Sequence, residues 1–176
     1  MEDLEALEIE SDRLILLPIS LKYQEVIFQE FTDEITRLMY PNTPKNIQET
    51  EDFIKKSIRQ RNNQTDLVLT IFKKDNQEFL GNCGVHKIDT DTPELGIWLK
   101  KSAHGNNFGK EAIHSLKNWA DRNLNHQYLL YPVDRKNIPS RKIPESLAGK
   151  ICDRYQQNLP NGKTLDLIEY RIFPNN

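Results

Sequence analysis

The segment Glu94-Leu-Gly-Ile-Trp-Leu-Lys-Lys-Ser-Ala-His-Gly-Asn-Asn-Phe-Gly-Lys-Glu-Ala112 places a carboxylate, a turn rich in glycine and asparagine, and the start of an amphipathic helix within nineteen residues. Unpaired N–H groups at a helix start, together with the positive end of its dipole, hold phosphate or pyrophosphate. Gly105 and Gly109 let a backbone approach an anion without a Cβ in the way, and Asn107 is of a residue type that tolerates positive φ. Two other phosphate loops are excluded. A P-loop needs G-x-x-x-x-G-K-[ST], whereas Gly105 is one residue too close to Gly109 and Glu111 replaces Ser/Thr. No G-x-G-x-x-G is present. Spacing alone leaves two readings: an anion site, or a helix start that uses small residues for turning.

The chain around this segment has 176 residues, enough for one domain with a working core. Its net charge of −2 argues against a dedicated nucleic-acid binder. Two cysteines, Cys83 and Cys152, make neither a disulfide framework nor a zinc site. His86, His104, His114 and His126 lack metal-ligand spacing, and Cys83 with His86 reads as strand filler. The acidic start and the short apolar runs give no signal peptide and no membrane span, so a cytoplasmic protein is expected.

The elements that must position the turn follow from periodicity. Arg13–Ile19 reads as a first strand, ended by Pro18. Leu21 to about Met39 reads as one helix or two short ones, broken by Pro41 and Pro44. Asn46 with Glu49 resembles a capping box, opening a helix with Phe53, Ile54, Ser57 and Ile58 on one face and ending at Asn62-Asn63. Leu67–Phe72, Phe79–Ile88 and Glu94–Leu99 then form an antiparallel meander. A long helix spans about Asn107–Asn123, and Tyr128–Val133 returns as a parallel strand. A short helix around Ser140–Ala148, with Pro144 making it start late or kink, precedes closing strands near Ile151–Tyr155 and Leu165–Phe173. The expected fold is α+β: about seven strands in a mixed, mostly antiparallel sheet, with four helices, in one domain over residues 1–176 with its core at about 11–173.

The run ELGIWLKKSAHGNNFGKEA resembles the acyl-CoA-binding motif of the GNAT N-acetyltransferases, in particular the branch of bacterial ribosomal-protein N-terminal acetyltransferases. That branch has a strand E-L-G-Y-W-L and then W/R-G-x-G-x-A/G-x-E-A. Ser11-Asp12-Arg13-Leu14 is similar to its T-x-R-L, and Phe79-Leu-Gly-Asn-Cys-Gly-Val-His86 to its L-I-G-x-x-G. Asn137-Ile-Pro-Ser140 is similar to its N-x-x-S, and Asn161-Gly162-Lys163 to Tyr170 to its closing hairpin. The departures are His104 in place of Trp, Arg or Gln, Asn107 in place of Gly, and Pro144 where many members carry a tyrosine acid.

The resemblance implies a sheet splayed in its middle, with acetyl-CoA as cosubstrate and an amine as acceptor. The acceptor would be a protein N-terminus or, alternatively, a polyamine, amino acid or aminoglycoside. A CoA-binding module without catalysis is a further alternative. Neither nucleic acid nor membrane is implied as a partner, and monomer or homodimer stays open. By resemblance, Glu94 takes the acceptor's proton through water and Ser140 faces the thioester sulfur. Ile97, Trp98, Leu99, His104, Gly105, Asn106, Asn107, Phe108, Gly109, Lys110 and Asn137 would contact the cofactor. Glu94, Gly96 and Trp98 share one strand face and Leu95, Ile97 and Leu99 the other, which places Glu94 on the ligand side. Structural roles stand beside these: Glu94 as an exposed strand start, Ser140 as an N-cap, Asn137 as a turn residue, and Trp98 and Trp119 as packing residues. Lys73-Lys74, Lys100-Lys101 and Arg141-Lys142 are candidates for the CoA 3′-phosphate. The acceptor would be lined by the first helices and the connector Met39–Lys45.

Overall fold

In the computed structural model, which describes residues 3–175, the sheet order is β1-β2-β3-β4-β5-β6-β8-β7. The strands are β1 (Ile9–Glu10), β2 (Leu14–Pro18), β3 (Asp66–Lys73), β4 (Phe79–His86), β5 (Glu94–Leu99), β6 (Leu129–Asp134), β7 (Lys150–Asn158) and β8 (Thr164–Ile172). The helices are α1 (Gln24–Glu30), the single-turn α2 (Asp33–Thr36), α3 (Ile47–Asn62), α4 (Phe108–Asn123) and α5 (Ile138–Ser146). The eighth strand is β1. It folds back on β2 with Ile9 opposite Leu16, because Leu4, Leu7 and Ile9 bury against the core and carry the chain onto the sheet edge.

Leu95 on β5, Leu129, Tyr131 and Val133 on β6, and Ile168, Tyr170 and Ile172 on β8 form one face of the sheet. They pack against the apolar stripe of α4, which includes Ala112, Ile113, Leu116 and Trp119. A second cluster on the opposite face holds Ile27 of α1, Ile54 of α3, Val68 and Phe79, with Trp98 against it. Leu159, Leu165 and Leu167 form a third, small cluster in the β7–β8 hairpin.

β3, β4 and β5 pair antiparallel as expected, and β5–α4–β6 is a parallel crossover. The β5–β6 ladder consists of one registered pair, Glu94 opposite Leu130, supported by Leu130 N–H donating to Pro93 O at 2.8 Å. Beyond that rung the strands part, so the sheet is splayed in its middle.

Over 21–39 the chain forms two short helices, the second of the two expected forms: α1 ends at Glu30, its C-cap Phe31 leaving the helical region with a ψ of 73°, and α2 ends at Thr36, so the break falls before either proline. Three expectations need correction. On α3 the buried stripe is Thr50, Ile54, Ser57 and Arg61, and Phe53 is exposed. The capping box is present in shifted form: Asn46 Oδ1 accepts from Glu49 N–H, and Glu49 accepts from Lys45 N–H. Finally, α5 starts early, at Ile138, and runs through Pro144. Asn137 caps it by accepting from Ser140 N–H at 3.3 Å, and Pro139 sits in the first turn, where no backbone donor is required. Ser140 is therefore not the N-cap; it is the third helical residue. Among the described residues, no helix is long and apolar enough to cross a membrane.

Candidate active site

The loop between β5 and α4 is held from three sides. The His104 ring nitrogen Nε2 bonds Leu99 O at 2.9 Å, and Asn106 Nδ2 donates to His104 O. Arg13 reaches over from the β1–β2 hairpin. Its Nη2 donates to Asn106 O at 3.0 Å, its Nε to Glu111 Oε2 at 2.7 Å, and its guanidinium lies 4.5 Å from the centroid of Phe108. Glu111 also accepts from Ser11 Oγ and from the backbone N–H of Arg13. Burial alone would raise this carboxyl, but the hydrogen bonds from Ser11 and Arg13 and the guanidinium charge hold it below the usual range. The two distant motifs, Ser11–Leu14 and Gly109–Ala112, are thus one structure.

The turn itself has the expected backbone. Gly105 has φ of 80° and Asn107, the N-cap of α4, a φ of 60°. The first α4 amides, from Phe108 on, have no partner within the helix by its geometry, and Gly105, Asn106, Asn107 and Lys110 are exposed. Nothing lies within 4 Å of a Cβ built on Gly105. Gly109 has a different environment. A Cβ there would meet Ile143 at 3.3 Å, Leu99 at 3.5 Å and Ile97 at 3.6 Å, so this glycine lets α4, α5 and β5 approach one another. A groove of about 430 Å³ flanks the turn, lined in part by Arg13, Asn107, Lys110 and His114.

Ile97 and Leu99 are half-buried beside Gly109 on the α4 side of β5. The Trp98 ring points the other way and packs on Phe31, centroids 4.6 Å apart, and on Phe79. Any contact of Trp98 with a ligand in the splay is therefore through its backbone. On the far side of the splay, Ser140 Oγ lies 2.7 Å from Tyr131 Oη. Tyr131 is buried, which pushes its phenol well above the ordinary range, so it stays a neutral donor or acceptor and is no base. Asn137 Oδ1 is occupied by the α5 cap.

Glu94 sits at the last rung joining β5 to β6, half-buried, with Lys87 Nζ 3.6 Å away. It is on the face opposite Leu95, as alternation implied. Above that face the β7–β8 tip grips the connector over residues 36–43. Lys163 Nζ donates to Thr36 O at 2.9 Å and Met39 O at 2.5 Å, and Asn161 bonds Asn42. Burial lowers the Lys163 ammonium below its ordinary value. Of the lysines considered for the 3′-phosphate, Lys100 is largely covered and paired with Glu78, while Lys101 with Glu34 and Lys74 with Glu10 form exposed ion pairs.

Three features escaped the sequence reading. Arg13 and Glu111 were visible in two motifs, but nothing in either said that they meet. The Lys163 clasp spans more than 120 residues. His86, read as filler, bonds Asp66 Oδ1 through Nδ1 at 2.8 Å. Cys83 is indeed inert: burial pushes its thiol up to about 12. No metal-binding cluster of His, Cys, Asp or Glu occurs among the described residues.

The family model for the acetyltransferase (GNAT) domain matches residues 13–150, and the chain belongs to that family. It is an acetyltransferase, with acetyl-CoA as cosubstrate. Among curated proteins it is 26% identical over 145 residues to the N-acetyltransferase p20 of Bacillus licheniformis, itself uncharacterized, covering 78% of this chain and 79% of that one. Its fold is similar to the Salmonella typhimurium acetyltransferase that modifies the N-terminal serine of ribosomal protein L7/L12, with TM-score 0.83, 15% identity, and 96% of this chain and 100% of that one covered. It is also similar to the microcin C7 self-immunity acetyltransferase MccE in complex with acetyl-CoA and AMP, with TM-score 0.81, 22% identity and 93% of each chain covered.

Proposed function

We propose that this protein transfers the acetyl group of acetyl-CoA to a primary amine, and that the amine is the N-terminal α-amine of a protein. The observation that carries the reading is the splay between β5 and β6, which has the α4 turn at one end and Glu94 at its closed end. The pyrophosphate sits on the backbone amides from about Gly105 to Lys110. The pantetheine lies along the β5 edge beyond Glu94, as an added strand would, with Ile97, Leu99 and Asn137 around it.

Acetyl transfer needs a neutral amine, donors for the tetrahedral oxyanion, and a donor for the departing thiolate. Glu94, through water, removes the proton. With Tyr131 Oη 2.7 Å from Ser140 Oγ, the role assigned here has Tyr131 as the donor of that pair, so that the Ser140 hydroxyl proton points at sulfur. An α-amine near 7.7–8.0 gives up its proton far more readily than a lysine near 10.4, which suits a carboxylate relay. The L7/L12-modifying neighbour supports the protein N-terminus. A small-molecule amine is the second reading, because the likeness to the microcin immunity enzyme is of equal strength.

Acetyl-CoA at 100 times its Kd should add ~2.7 kcal/mol, a rise in melting temperature of roughly 5–10 °C at 2–4 °C per kcal/mol. A CoA-release panel of Ser- and Ala-initiated peptides, spermidine and free amino acids then identifies the acceptor. Absence of any shift at millimolar acetyl-CoA overturns the donor site. Preference for spermidine or a free amino acid overturns the N-terminal reading.

A further inference from the structure

Beside Glu94 on the same sheet face lies a second group suited to proton transfer. His86 is the cross-strand partner of Glu94. Its Nδ1 is 2.8 Å from Asp66 Oδ1, and the other Asp66 oxygen accepts from Gln60 Nε2 at 3.0 Å. Three elements, α3, β3 and β4, thus fix one carboxylate against one imidazole. Burial alone would raise the Asp66 carboxyl, but hydrogen bonds from His86, the Thr65 side chain and the Lys87 backbone N–H hold it below the usual range. An ionised carboxylate can only accept, so Nδ1 carries the hydrogen and Nε2 keeps its lone pair.

The Nε2 end of the ring lies over a cross-strand glycine pair, Gly84 on its own strand β4 and Gly96 on β5. A Cβ built on Gly84 would come within 3.4 Å of His86 Nε2. For Gly96, the atoms within 4 Å of such a Cβ, chain neighbours aside, are His86 Nε2 at 3.7 Å and Cδ2 at 4.0 Å. Gly96 stands two residues beyond Glu94, where β5 begins to leave β6. Its missing side chain leaves an open floor between the imidazole and the splay. The His86 side chain is 38% exposed, so a proton it accepts can pass to solvent. The charged groups around it are Asp66 on β3, Glu94 on β5 and Lys87, next in the chain, whose ammonium is 3.6 Å from Glu94.

Building on the acetyl-transfer reading above, we infer that His86, oriented by Asp66, is the terminal acceptor of the amine's proton, and that Glu94 orders the water between them. The ammonium N–H bond breaks, and its proton moves through that water to His86 Nε2, forming an imidazolium that releases it to solvent. The freed amine lone pair attacks the thioester carbon; as the C–S bond breaks, the surplus proton on the now cationic nitrogen passes to sulfur by way of the Ser140 hydroxyl, leaving an amide and the CoA thiol. An imidazole's ordinary pKa lies closer to that of an α-amine than a carboxylate's does, so it suits the end of such a relay.

The test compares wild type, H86Q, D66N and the E94Q/H86Q double variant on the best acceptor of the panel, across pH, with the acetyl-CoA melting shift as control. H86Q should lower kcat by 10²–10⁴ with the melting shift retained, and the acid limb of its kcat/KM profile should disappear. The double variant should fall little below the worse single one, since the two groups form one relay. D66N, which tests a positioning residue, should displace the acid limb while keeping part of kcat. The imidazole nitrogen spectrum should show His86 as the Nδ1–H form. H86Q with kcat within about twofold of wild type and an unchanged acid limb overturns the proposal, as does an Nε2–H imidazole. Wild-type turnover and the melting shift report separately on the acetyl-transfer reading.

Discussion

The two sides of the splay are built by different means. On the donor side, a single stretch from β5 into α4 supplies the turn, largely as backbone, and Arg13 and Glu111 brace it from outside. On the proposed acceptor side the groups are mostly side chains, brought from α3, β3, β4, β5 and the β7–β8 tip. A cosubstrate common to a family can be held by main chain, which tolerates substitutions such as Asn107 for glycine. An acceptor that differs between members must be met by side chains, which can change without disturbing the turn.

Glu94→Gln breaks this comparison most severely. It should lower kcat by 10²–10⁴, with acetyl-CoA binding unchanged because Glu94 lies outside the donor turn. The defect should shrink as pH rises toward the amine's own pKa. Steady-state kinetics at several pH values check this, and an unchanged kcat at neutral pH removes Glu94 from the relay. Ser140→Ala should cost about tenfold, the worth of one net hydrogen bond, with little pH dependence.

Arg13→Ala acts on the donor side. It leaves the Glu111 carboxylate without its guanidinium partner and the Asn106 carbonyl without a donor, at about 0.5–1 kcal/mol of stability for a largely exposed pair. Affinity for acetyl-CoA should fall with kcat retained at saturation. Because the folded Glu111 carboxyl is held below the ordinary glutamate value of 4.5, its stabilisation is present above that pH and is lost as pH falls through the folded value. Arg13→Ala and Glu111→Gln should therefore both flatten the acid-side loss of stability, as read by denaturant melts below pH 4.5. Lys163→Met gives the smallest effect. It should release the connector and raise the acceptor KM by a few fold, as initial-rate kinetics would show, with the acetyl-CoA melting shift unaltered.

The order of the elements, the meander, the parallel crossover and the α4 turn were legible because each rests on local signals: alternation in β3–β5, the apolar stripe of α4, and glycine and asparagine at Gly105 and Asn107. The Glu94 face was legible for the same reason, since strand alternation needs no tertiary information. The two-residue β1 was missed because it is too short to show a period. The start of α5 was misjudged because Pro144 was weighed as a breaker and the Asn137 cap was not. The sequence by itself thus determined where a glycine- and asparagine-rich helix-opening turn and a strand carboxylate stand along the chain. Only the tertiary structure decided that Arg13 braces Glu111, that Lys163 holds Thr36 and Met39, and that His86 is aimed by Asp66 over Gly96. Each of those pairings depends on strand register and on which helix covers which face, quantities fixed by packing across the sheet and carried by no single segment.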